Sequence, residues 1–132
     1  MDFSKWLYEV VRDYLRKKIP DPINRGKHWI YPDHPREDAT FPRIAIIILG
    51  THHDEYGLGF KGVRVRSTVM VCVFVNSRQP GLVDGAQYKG AALREALVDK
   101  VINVLLGGRA ELLQQYNIKD VRLISTTSYP YD

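Results

Sequence analysis

The sequence predicts an α+β domain of two layers, an antiparallel sheet with two main helices packed on one face, in the order α-β-β-β-α-β with a short first strand. Three observations predict it. The first fifteen or so residues place apolar side chains three and four apart, the period of a helix with one buried face. Residues 63–75 alternate instead, with Val or Ser at every odd position, the period of a strand. A second stretch of helical spacing runs over residues 85–106. Long alternating segments followed by a helix suit an antiparallel sheet with helices gathered on one side.

In the first helix Phe3, Trp6, Leu7, Val10, Val11, Tyr14 and Leu15 form the buried face, and Ser4, Lys5, Glu9, Arg12, Asp13, Arg16 and Lys17 the polar one. Asp2 is placed to cap the helix, and Pro20 lies just past its end. The basic residues 16–18 suit the negative end of the helix dipole, a simpler account than a membrane-surface or RNA-binding helix. Pro20, Pro22, Pro32, Pro35 and Pro42 then exclude a long helix or a central strand over residues 20–42. That connection still carries Trp29, Ile30 and Tyr31, too apolar for a free linker, with a short edge strand expected over residues 28–31.

Residues 43–49 form an apolar strand with Ile44, Ile46 and Ile48 on one side and Ala45, Ile47 and Leu49 on the other, so both faces require cover. A Gly-rich loop is expected over residues 50–62, joining this strand to the long strand 63–75 as a hairpin. Its core face is Val63, Val65, Ser67, Val69, Val71, Val73 and Val75. The other face begins with Arg64, Arg66 and Thr68 and turns apolar at Met70, Cys72 and Phe74. A turn region is expected over 76–84, then the second helix over 85–106, ended by Gly107 and Gly108. A short helix over 110–116 and a last strand over 121–127 complete the order.

The chain's 132 residues fit one domain, residues 1–132, with a core large enough to need no disulfide or metal. The single cysteine, Cys72, excludes an intrachain disulfide and suits a reducing compartment. No stretch approaches the ~20 apolar residues of a membrane-spanning helix, and the first residues are not a secretory leader. The net charge of +4 is modest and spread along the chain.

Few residues carry recognisable chemistry. His52, His53 and Asp54 resemble a metal or acid–base cluster, but adjacent histidines on a strand point to opposite sides and cannot both ligate one ion. Residues 57–62 carry the letters of a dinucleotide fingerprint, yet a strand follows them where the fingerprint requires a helix. Ser67, Ser77, Ser125 and Ser128 lack a nucleophile elbow. Glu95 and Asp99 are neighbours on a solvated helix face. The sequence therefore predicts no enzyme, no cofactor and no metal site. Lys61, Arg64 and Arg66, near Phe60, form a small basic cluster suited to a nucleic-acid backbone, which leaves an RNA- or DNA-binding module as the alternative function.

The apolar residues Met70, Cys72 and Phe74, with one face of residues 43–49, lie on the sheet face that two helices on the other face cannot cover. Part of the cover can come from residues 20–42; a neighbouring subunit is expected to supply the rest.

The arrangement resembles the tail terminator (tail completion) proteins of long-tailed phages and related archaeal viruses. The resemblance spans the chain: an amphipathic first helix, a connection holding Trp29-Ile30-Tyr31-Pro32, then Phe41-Pro42-Arg43-Ile44-Ala45-Ile46 entering a strand, a loop, the long alternating strand, a helix and a short last strand. It implies a homo-oligomeric ring, usually hexameric, that caps the tail tube and offers the surface to which a neck or head-completion protein attaches. DNA would pass through its lumen without sequence-specific binding. The resemblance also implies a place in the virion tail or neck, with assembly in the host cytoplasm. Other neck and head-completion proteins of this size share the pattern. Met70, Cys72 and Phe74 are then the candidate subunit interface, and Lys61, Arg64 and Arg66 the candidate lumen-facing or nucleic-acid-facing residues.

Overall fold

The computed structural model describes residues 3–24, 29–31, 41–55, 63–76, 78–116, 118 and 120–126, and of residues 53–55, 63 and 64 the backbone. Helix α1, Phe3–Lys18, is followed by strands β1 (Ile30–Tyr31), β2 (Arg43–Glu55) and β3 (Val63–Phe74). Strands β4 (Pro80–Val83) and β5 (Ala86–Lys89) come next, then helices α2 (Ala91–Gly107) and α3 (Arg109–Tyr116). The fold is α+β, with helices packed on a sheet. The main sheet has the order β1-β2-β3, and β4-β5 is a separate hairpin.

Hydrophobic alternation decides which sheet face meets the helices. Ile44 stands opposite Val73, Ile46 opposite Val71 and Ile48 opposite Val69. These positions share one face, and Ile44 and Ile46 are almost fully buried there. Leu15 and Ile19 from the first helix and its end, and Leu93, Leu97 and Val101 from α2, complete the cluster with Trp29 and Ile30. Helix α1 packs on β1 and β2, and α2 on β3 and the hairpin. Arg16 anchors the connection to α1: its Nη2 and Nε donate to the carbonyl of Ile30 at 2.7 and 3.2 Å.

Four features differ from the sequence-based expectation. Strand β2 continues through Gly50 to Glu55, into the expected loop, by way of a β-bulge at Leu49. The bulge reverses the parity of the strand, so that Thr51 faces the helices; its hydroxyl lies 3.3 Å from those of Ser4 and Ser67. Strand β1 runs parallel to β2, which makes the sheet mixed rather than purely antiparallel. Residues 80–89 form a hairpin where a turn and the start of a helix were expected. Its two-residue loop, Asp84-Gly85, has φ of 52° and 81°, the doubly positive φ that a type I′ hairpin turn requires. Helix α2 therefore begins at Ala91, after Gly90 with φ of 59°.

The last strand is the fourth difference. Residues 121–126 are described but form no strand, and residues 122–126 are exposed, with Leu123 53% and Ile124 79% accessible. Helix α3 itself is fixed by its single buried residue, Leu112, and by Glu111, whose Oε2 accepts from the Tyr14 hydroxyl at 2.8 Å and pairs with Lys18 Nζ at 3.1 Å.

Candidate interface on the open sheet face

The face of the sheet away from the helices is built by the positions between the core residues. Ala45 stands opposite Cys72, Ile47 opposite Met70 and Arg43 opposite Phe74. Ala45 is fully buried, while Ile47, Met70, Cys72 and Phe74 are each half-buried. The three residues singled out from the sequence thus lie side by side on one strand face, together with Ile47 from the neighbouring strand.

One end of this patch is aromatic and basic. The Phe41 ring meets Phe74 edge-on at 6.5 Å between centroids. Phe41 precedes Pro42 through a cis peptide bond, and the Phe41 carbonyl accepts from Gln79 Nε2. The guanidinium of Arg43 lies 4.2 Å from the centroid of the Tyr31 ring, close enough for a cation–π contact. Residues 32–40, part of the connection expected to help cover this face, lie outside the described residues.

The other end is polar. Past the bulge His52 stands opposite Arg66, and both are exposed. Arg64 lies two positions further along β3, on the same face by the strand period, with its backbone opposite Asp54. The strand thus grades from basic to apolar along one face: Arg64, Arg66, Thr68, Met70, Cys72, Phe74. Lys61, the third member of the basic cluster, lies outside the described residues. His52 and His53 are consecutive positions of β2.

Burial pushes the Cys72 thiol pKa up, which holds it protonated at neutral pH and suits a packing role rather than a nucleophilic one. Among the described residues no three His, Cys, Asp or Glu side chains converge as a metal site would require. No described helix is long and apolar enough to cross a membrane.

Sequence reasoning placed one face of residues 43–49 in the patch without choosing which, and the pairing identifies it as the face of Ile47. It missed Phe41 as the aromatic border, because the approach of Phe41 to Phe74 depends on how the chain enters β2. Comparison with protein-family models, with curated proteins and with solved structures finds no match to this chain.

Proposed function

We propose that the chain is a structural assembly subunit that associates with copies of itself into a ring, acting as a tail terminator of a long-tailed virus. The observation that supports the assembly part is the sheet face away from the helices, where the apolar side chains of Ile47, Met70, Cys72 and Phe74 gather and are only half-buried. Apolar side chains gathered on one face and bordered by arginines have the composition of a subunit contact. The terminator part rests on the resemblance of element order and of the Phe41-Pro42 entry into the strand. In that role the ring, a hexamer by the resemblance, caps the tail tube and receives a neck or head-completion protein. Arg64 and Arg66 then border a lumen through which DNA passes, binding its backbone without reading its sequence. No catalytic step belongs to this role.

The test is the native mass of the purified chain by light scattering across concentration and salt, repeated with Met70→Asp and Phe74→Asp. A closed oligomer near six subunits that falls apart in both variants, with their thermal unfolding still cooperative, is the expected result. A strict monomer whose binding to single-stranded DNA falls steeply with salt, and falls further with Arg66→Ala, would replace this reading by a nucleic-acid-binding module.

A further inference from the structure

The described chain contains an unguarded sheet edge and, elsewhere, a strand-forming segment with no strand to pair with. Strand β3 closes the order β1-β2-β3, so among the described residues no strand pairs with its outer side. Along residues 67–73 that edge reads Ser-Thr-Val-Met-Val-Cys-Val, with no charge, Pro or Gly. Sheet edges that stay free in solution carry such guards, because their exposed N–H and C=O groups are a template for another strand. The complementary element is residues 121–126, Val-Arg-Leu-Ile-Ser-Thr, rich in β-branched residues. It lies beyond α3 without regular structure, and its Leu123 and Ile124 are 53% and 79% accessible.

We infer that residues 121–126 of one copy add as a strand to the outer edge of β3 in a second copy. The geometry favours a second copy over the same molecule. Glu111 ties α3 to Tyr14 and Lys18 of α1, and α1 packs over β1 and β2. Within one copy the segment pairs with no described strand, and its residues 122–126 stay exposed. A donor segment and an acceptor edge at different places on one chain make a head-to-tail contact, the type that closes into a ring or continues as a filament. Backbone hydrogen bonds supply the pairing, as in other strand additions. Alternate side chains of the segment, Leu123 on one side and Ile124 on the other, pack against the acceptor's two faces. Ile124 and Leu123 thereby gain the burial that the single chain does not give them. This inference rests on the assembly reading and adds to the sheet-face contact a second one between subunits.

The experiment compares the full chain, the double variant Leu123→Asp/Ile124→Asp, and a chain ending at Lys119, by light scattering and by amide hydrogen exchange. Circular dichroism and thermal unfolding confirm that each variant folds, as expected for changes at exposed residues. The expected result is an oligomer for the full chain, self-association weakened about 100-fold or more in both variants, and slow exchange of the outward-facing amides of residues 67–73, those that do not bond β2, only in the assembled full chain. Persistent assembly in both folded variants would overturn the strand addition and leave the assembly reading standing. A full chain that remains monomeric up to about millimolar concentration would overturn both. Slow exchange of the outward-facing amides of residues 67–73, those that do not bond β2, in the dissociated double variant would also overturn the inference, because the edge would then be covered within one copy.

Discussion

Tyr14 shows how much one buried hydroxyl organises. It is 3% exposed and donates to Glu111, joining the first helix to the last. Desolvation, reinforced by the hydrogen bond to Glu111, raises its pKa to about 12. The same hydrogen bond, with Lys18, lowers the Glu111 pKa. For Tyr14 the folded pKa exceeds the unfolded value of about 10, so its stabilisation is complete below pH 10 and declines as pH rises toward about 12. For Glu111 the sign is opposite: its contribution is present above the ordinary carboxylate pKa and is lost as pH falls through the depressed value. Tyr14→Phe is expected to cost about 0.5–1.5 kcal/mol at neutral pH and to flatten the alkaline limb, read as melting temperature against pH. An unchanged alkaline limb would mean that other groups govern it. Gly108 sits beneath the same ring, and a Cβ there would collide with the Tyr14 hydroxyl and approach the Val104 carbonyl oxygen at 2.7 Å. Gly108→Ala is therefore expected to destabilise by about 1–3 kcal/mol in urea unfolding, despite the gain in helix propensity that Ala normally brings.

Among the elements, the β4-β5 hairpin and α2 depend on each other. Gly90, between them, holds a φ of 59° that side chains resist, and its carbonyl accepts the first hydrogen bond of the helix from Arg94 at 3.1 Å. Gly81 packs so closely on Pro22 and Leu93 that a Cβ would lie 2.9 Å from Pro22 Cβ and 3.0 Å from Leu93 Cδ2. Gly90→Ala is expected to cost about 1–2 kcal/mol. Leu97→Ala, at a fully buried position of α2, is expected to cost about 2–5 kcal/mol. Both are measured by chemical denaturation. If Leu97→Ala left the midpoint unchanged, α2 would not be part of the cooperative core. The hairpin was legible in the sequence, since Asp-Gly between alternating residues is a strong turn signal. The competing helical spacing of residues 93–106 extended the expected helix backwards over it. The bulge at Leu49 was not legible, because a parity reversal inside a strand becomes visible only when the partner strand fixes the register.

At the scale of the whole molecule, the two faces of the sheet have different fates. The helices and hairpin pack on one face and bury Ile44 and Ile46 there, with Val69, Val71 and Val73 partly buried. The other keeps Ile47, Met70, Cys72 and Phe74 half-exposed, and the edge of β3 remains without a strand among the described residues. A ring subunit requires such unfinished surfaces, and self-association is accordingly expected to bury the sheet face, the edge, or both. Because the patch grades into Arg66 and Arg64, assembly through its apolar end is expected to survive a rise in salt from about 0.1 to 0.5 M, whereas any DNA affinity of the basic end is expected to fall steeply. Light scattering and DNA titration over the same salt series check the two together. Assembly that dissolves with salt would instead place the contact at the arginines.

The sequence by itself determined the α+β class, the face of α1 that is buried, the alternation of β3 and the gathering of Met70, Cys72 and Phe74 on one strand face. These follow from periodicity, a local property that each segment carries whether or not its neighbours are known. Only the tertiary structure decided that β1 joins in parallel, that β2 reverses its faces at a bulge, and that residues 121–126 pair with no strand among the described residues. Strand pairing is a contact between distant segments. A segment with every propensity to be a strand becomes one only where an edge of matching register lies within reach, and in this chain residues 121–126 pair with no described strand.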